Sequence, residues 1–206
     1  PLLEVGGKAL IVWHIEKLKK IGVTEIVINS AWLADILIGT LGDGSQFGVS
    51  IRCSREDVGL ETAGGIINAL ALLGDQPFIL VNGDVWTTFD FASLLDVNLA
   101  NDLAHLVFVN NPEQHPQGDF TLANGRAYTF DQNQQGENLT YSGVAVINPK
   151  MFDGLEQGKR PLAPLLKQGM LDGKISAEKM QAAWVDVGTP ERLTALDLQI
   201  RQGEYS

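Results

Sequence analysis

Asp84 and Asp186 are the side chains in this sequence best suited to phosphate chemistry. Asp84 closes the segment Phe78-Ile79-Leu80-Val81-Asn82-Gly83-Asp84. Four apolar residues in a row, without alternation, read as a strand buried on both faces. Asn82-Gly83-Asp84 then falls at the strand's carboxyl end, where open α/β sheets bind ligands. A carboxylate there is a hard oxygen donor suited to Mg²⁺, and Gly83 lets another group come close to the backbone. The plainer alternative is a turn Asp that binds its own backbone. Asp186 ends a second strand in Trp184-Val185-Asp186-Val187-Gly188-Thr189-Pro190-Glu191. Two carboxylates carried together from distant strand ends could clamp one or two divalent ions on a polyphosphate. For Asp186 the alternative is a part in capping the helix that follows.

Leu60-Glu61-Thr62-Ala63-Gly64-Gly65 opens a helix. Free N–H groups and small residues at a helix start fit an anion or a flat base edge. Thr62 could serve only as an N-cap. Gly64 and Gly65 each cost a helix roughly 1 kcal/mol against Ala. That cost implies close approach by a ligand or by another backbone. The polar run 111–119, with Gly118 and Asp119 before Phe120, would suit sugar hydroxyls, or it is an ordinary surface loop. His14 and His105 lie in an amphipathic helix and an apolar strand, and read as structural. No Ser-His-Asp set, zinc spacing or Cys nucleophile stands out.

The elements that must position these residues alternate up to position 110. Helix 8–21, strand 23–28, helix 31–41, strand 48–53, helix 62–73, strand 78–82, helix 91–100 and strand 103–109 are expected, with 1–7 as a loop. Alternation of this kind indicates a mostly parallel sheet with helices on both faces. Short strand-like runs follow at 120–122, 127–130 and 141–147, with a hairpin signal at Asn124-Gly125. Helices at 150–155 and 161–170, strands at 174–177 and 182–187, and a last helix capped by Thr189 complete the reading. We expect one domain over 1–206, with a nucleotide-binding half at 1–110 and a smaller, lid-like half at 111–206. A loop and helix feeding a parallel strand normally complete a βαβ unit. An opening strand is therefore expected upstream of Pro1.

The 206 residues are 45% hydrophobic and 19% charged, enough for one domain with a full core. A net charge of −10 argues against nucleic-acid or anionic-membrane partners. Phosphates would have to be bound by local devices such as metal ions and helix N-termini. Cys53 is the single cysteine, which excludes an intrachain disulfide and fits a reducing cytoplasm. No apolar run approaches the roughly 18 residues of a membrane span.

Taken together, the segments resemble the sugar-1-phosphate nucleotidylyltransferases. Pro1 to Ile11 looks like the end of that family's signature, which begins with a Gly-rich loop and reaches a Pro-Lys pair. Val81-Asn82-Gly83-Asp84, Tyr141-Ser142-Gly143-Val144 and Val185-Asp186-Val187-Gly188-Thr189-Pro190-Glu191 match its later motifs in order. The resemblance implies a Rossmann-like, nucleotide-diphospho-sugar transferase fold that joins an NTP and a sugar 1-phosphate into an NDP-sugar and pyrophosphate. It implies Mg²⁺ on Asp84 and Asp186. Glu61, Thr62, Gly64 and Asn82 would face the nucleotide, and Gly118, Asp119 and Gly143 the sugar. Glu61 stands where glucose and mannose enzymes more often have Gly. Leu60-Glu61-Thr62 and Val85-Trp86 look most like the members that use UTP and N-acetylmuramate 1-phosphate in cell-wall recycling. Heptose or mannose 1-phosphate with GTP is the alternative, as is a non-catalytic relative that binds nucleotide sugars. Arg126 and Lys159 are candidate partners for the lactyl carboxylate of N-acetylmuramate. The family's triphosphate loop and lysine would precede Pro1, so this chain by itself is expected to transfer little nucleotide.

Overall fold

The computed structural model describes residues 2–31, 34–56 and 58–205. The expected opening loop is a hairpin. Strands β1 (Glu4–Val5) and β2 (Lys8–Ala9) pair antiparallel through Gly6 and Gly7, both at positive φ. Helix α1 (Leu10–Lys20) leads into β3 (Glu25–Ser30), α2 (Ala34–Leu41) and β4 (Ser50–Arg55). Positions 32 and 33 of the expected helix 31–41 lie outside the described residues. Helix α3 (Glu61–Leu73) is followed by β5 (Phe78–Val81), β6 (Val85–Thr87) and β7 (Ala104–Val109).

The helix expected at 91–100 is instead a short 3₁₀ stretch, Phe91–Asp96. The Asp90 side chain accepts from Ala92 N–H and the Asn98 side chain from Ala100 N–H. Such local side-chain bonds compete with the helical ladder. The helix expected at 150–155 is likewise a 3₁₀ turn, Pro149–Phe152, with the Asn148 side chain bonded to Lys150 N–H.

The second half supplies β8 (Phe120–Ala123), β9 (Arg126–Tyr128), β10 (Glu137–Ile147), α4 (Ala163–Leu171), β11 (Ile175–Lys179), β12 (Trp184–Asp186) and α5 (Pro190–Arg201). Asn124 and Gly125 turn the β8–β9 hairpin with φ of 50° and 73°, as a type I′ turn requires.

The α/β class expected from the sequence holds, but the sheet is mixed rather than mostly parallel, because β10 and the β8–β9 hairpin enter it antiparallel. Six strands run in the order β5-β10-β7-β11-β9-β8, with β7 and β11 parallel and β10 antiparallel to both its neighbours β5 and β7. Strand β10 thus carries the second half of the chain into the middle of the first half's sheet. A separate parallel pair joins β3 to β4, and an antiparallel pair joins β6 to β12. Among the described residues, β5 pairs only with β10 and β3 only with β4, so each keeps one unpaired edge.

Both faces of the six-stranded sheet are covered. Leu106 and Phe108 of β7 pack with Ile66, Leu166 and Met170 on one face, and Val107 and Val109 with Leu18, Phe91 and Leu94 on the other. This alternation within one apolar run is why β7 and β10 read as unbroken hydrophobic strands.

Candidate active site

Backbone pairing of β6 with β12 builds the centre of the site. Asp186 lies opposite Val85, and Val187 donates its N–H to the Asp84 carbonyl oxygen at 2.8 Å. The backbones of the two residues picked out from the sequence are therefore one position apart across this pairing, with Asp84 in the turn that enters β6 and Asp186 at the end of β12. Asp84 is exposed, and its carboxylate has no hydrogen-bond or ion-pair partner among the described residues. Asp186 is held differently. Its Oδ2 accepts from Arg192 Nη1 at 2.7 Å, with side-chain exposures of 34% and 28%. Arg192 sits in the first turn of α5, where the Thr189 hydroxyl oxygen caps its backbone N–H.

The frame beneath is built from α1 and β10. His14 is 6% exposed, and its Nε2 lies 2.8 Å from the Val85 carbonyl oxygen, which makes Nε2 the protonated nitrogen. Burial pulls its pKa down to about 4 despite the opposing effect of that bond, so the imidazole is neutral. One turn on, Lys17 donates to the carbonyls of Thr87 and Phe89, and burial lowers its pKa to about 8. Helix α1 thereby fixes the segment that follows Asp84.

On the other side, β10 bulges between Tyr141 and Val144. Gly143 adopts φ of 79° there, and its carbonyl oxygen accepts from Asn82 N–H at 2.9 Å. A β-carbon on Gly143 would stand 2.9 Å from Asn82 Cβ. Trp184 Nε1 donates to the Ser142 carbonyl at 2.8 Å, which ties β12 to the same bulge. Asn82, Asp84, Gly143 and Asp186 thus fall within one network of strand ends. The Asn82 side-chain amide has no hydrogen-bond partner among the described residues.

Other expected contacts are spent within the chain. Gly64 donates its N–H to the Arg160 carbonyl at 3.0 Å, and Arg160 donates its own N–H to the Leu60 carbonyl at 2.9 Å. A β-carbon on Gly64 would collide with the Gly158 carbonyl oxygen. The close approach implied by this glycine is made by another backbone, the strap 158–160. Gly118 and Asp119 are likewise engaged within the chain. A β-carbon on Gly118 would meet the Leu139 carbonyl oxygen at 2.7 Å. The Asp119 carboxylate accepts from Tyr141 N–H at 2.8 Å through Oδ2, and its Oδ1 lies 3.1 Å from His115 Nε2. These two residues fasten the 111–119 loop to β10. Arg126 is bound to Asp102 through two bonds of 2.6 and 3.0 Å.

Glu61 is the unusual residue at the start of α3. Its φ is 60°, in the left-handed region that normally calls for glycine. Its carboxylate lies 3.3 Å from Lys159 Nζ. Leu60 occupies the N-cap position without a side-chain cap, so Thr62 is not the cap residue. The exposed Glu61 and Thr62 remain available at this end of the helix.

Among the described residues, no three His, Cys, Asp or Glu side chains come together as a metal site. Asp84 and Asp186 could supply at most two protein ligands. That donor set suits Mg²⁺, which binds through one or two carboxylates and keeps its other positions for water and substrate phosphates. A resident structural ion would need more. The sequence reading passed over Arg192, although a cation in a helix's first turn opposes the helix dipole and asks for a reason.

The family model described as nucleotidyl transferase matches residues 1–203. The chain is 49% identical over 201 residues to N-acetylmuramate alpha-1-phosphate uridylyltransferase of Neisseria meningitidis serogroup B, covering 94% of this chain and 85% of that one. It is 28% identical over 211 residues to a probable mannose-1-phosphate guanylyltransferase of rice, covering 97% of this chain and 58% of the relative's length. A Bacillus anthracis structure assigned as a glucose-1-phosphate thymidylyltransferase, in complex with a sucrose, superimposes with a TM-score of 0.83 at 19% identity. That alignment covers 97% of this chain and 85% of the other, and shows the shared fold.

Proposed function

Because the chain belongs to the nucleotidyl transferase family, we propose that it transfers the uridylyl group of UTP to N-acetylmuramate 1-phosphate. The products are UDP-N-acetylmuramate and pyrophosphate. The observation that supports the reaction class is the β6–β12 pairing, in which Asp186 lies opposite Val85, the residue after Asp84. The choice of base and sugar rests on the 49% identity to the Neisseria uridylyltransferase.

A sugar-phosphate oxygen attacks the α-phosphorus in line, and pyrophosphate leaves. Positioning and charge neutralisation supply the rate, without a covalent protein intermediate. Asp84 and Asp186 would hold Mg²⁺, which when bound neutralises phosphate charge. Asn82 and the Gly143 backbone border the place where sugar and phosphates meet, while Glu61 and Thr62 face the base. Uracil offers an N–H between two carbonyls, and a carboxylate can accept that hydrogen. Nucleotides and sugar phosphates are cytoplasmic substrates, consistent with a single free cysteine.

The test is a pyrophosphate-release screen of the protein expressed from its whole reading frame. UTP, GTP, CTP and dTTP are each paired with N-acetylmuramate, N-acetylglucosamine, mannose and heptose 1-phosphates. UTP with N-acetylmuramate 1-phosphate should be the preferred pair. Preference for GTP with mannose or heptose 1-phosphate would replace this reading by a guanylyltransferase, and no turnover with any pair would make the protein a binding relative.

A further inference from the structure

We propose that Arg192 is a positioning residue that holds Asp186 as its counter-ion, and so keeps metal affinity low until nucleotide arrives. The proposal rests on the reading of Asp84 and Asp186 as the metal-binding pair. Arg192 occupies the first turn of α5, a position the helix dipole makes unfavourable for a cation. Its guanidinium nonetheless lies there, 2.7 Å from Asp186 Oδ2. Asp84, on the adjoining strand, has no cationic partner among the described residues. The pair therefore presents a net charge near −1 to an approaching cation, rather than −2, and one carboxylate oxygen of Asp186 is already engaged.

A nucleotide alters both terms. Its phosphates bring the cation with them, and they offer the guanidinium another anion to bind. Arg192 can then pass from the carboxylate to a phosphate oxygen, which releases Asp186 to the ion. Metal uptake and nucleotide uptake are coupled by this exchange, and the affinity of each rises in the presence of the other.

Mn²⁺ is the probe, with its free concentration read by electron paramagnetic resonance on the purified protein, expressed from its whole reading frame, without nucleotide. Arg192→Gln should bind Mn²⁺ about tenfold more tightly than the parent, the scale expected for one charge lost from a partly exposed site. Adding UTP should remove or reverse that difference. Arg192→Met is the second uncharged variant and should behave alike, while Arg192→Lys should stay near the parent value. Loss of a merely structural contact would loosen the site and weaken binding. Unchanged or weaker Mn²⁺ affinity in the uncharged variants therefore overturns the proposal. Asp84→Asn separates the two levels. If it leaves Mn²⁺ binding of the parent chain unchanged, the metal-binding pair itself is wrong, and the role of Arg192 falls with it.

Discussion

Val187 donates its backbone N–H to the carbonyl oxygen of Asp84 at 2.8 Å. This bond closes the β6–β12 ladder and ties the turn at Asp84 to the segment that leads into α5. The arrangement follows from ordinary β-pairing, and the proposed chemistry from the two carboxylates that flank it.

His14 lies directly beneath that junction and makes it sensitive to acid. Its folded pKa of about 4 is below the ordinary value of 6.5, because burial disfavours the charged ring. Between those values the unfolded chain takes up a proton that the folded chain refuses. The His14 contribution is thus complete above pH 6.5 and is lost as pH falls towards 4, with a slope of at most about 1.4 kcal/mol per pH unit. Urea midpoints at pH 7.5 and pH 5 should fall further for the parent than for His14→Gln. Parallel falls in the two proteins would show that another group drives the acid response.

Glu61 provides a backbone test. A residue with a β-carbon in the left-handed region costs roughly 1 kcal/mol, and glycine escapes that cost. Glu61→Gly should therefore unfold at a higher temperature than Glu61→Ala, by an amount equivalent to about 1 kcal/mol. Both variants lose the carboxylate, so both should lose preference for UTP over the other nucleotides in a competition assay. Equal melting temperatures would contradict the backbone assignment. Intact UTP preference would remove Glu61 from the base site.

Gly64→Ala should be among the more damaging single-methyl changes. The added carbon meets the Gly158 carbonyl, part of a backbone strap tied to α3 at both faces of Arg160, so no flexible side chain can yield. Overpacking of this kind costs about 1–3 kcal/mol. Thermal unfolding and limited proteolysis near residue 158 should both show the loss. A variant as stable as the parent would mean that the strap moves aside at little cost.

Much of this arrangement is legible in the sequence, for identifiable reasons. The unbroken apolar runs of β5 and β7, the Asn124-Gly125 turn and the Thr189 cap all depend on local chemistry, and the structure realises each one. Asp84 and Asp186 could be singled out because each borders an apolar run; Asp84 lies in the turn between β5 and β6, and Asp186 ends β12. Partnerships set by tertiary approach were less visible. Gly64, Gly118 and Asp119 carry the residue types of a ligand site, and in the structure each also touches the chain's own loops. A glycine reports that something comes close, without saying what. The 91–100 segment has helical spacing, but Asp90 and Asn98 divert the backbone into side-chain-bonded turns. Arg192 gave a signal through its unfavourable place in a helix's first turn, and that signal needed the Asp186 contact to acquire a meaning.

Asp84 and Asp186 are proposed to act on the reaction as one unit. The most direct test is a double-mutant cycle on the protein from its whole reading frame, with pyrophosphate release measured at saturating Mg²⁺, UTP and N-acetylmuramate 1-phosphate. Asp84→Asn and Asp186→Asn should each lower turnover by about 100-fold or more, with far-ultraviolet circular dichroism unchanged. The double variant should be slower than the worse single variant by no more than about threefold, since groups that serve one ion are not additive. Near-parent turnover in either single variant, or losses that multiply in the double variant, would contradict the claim.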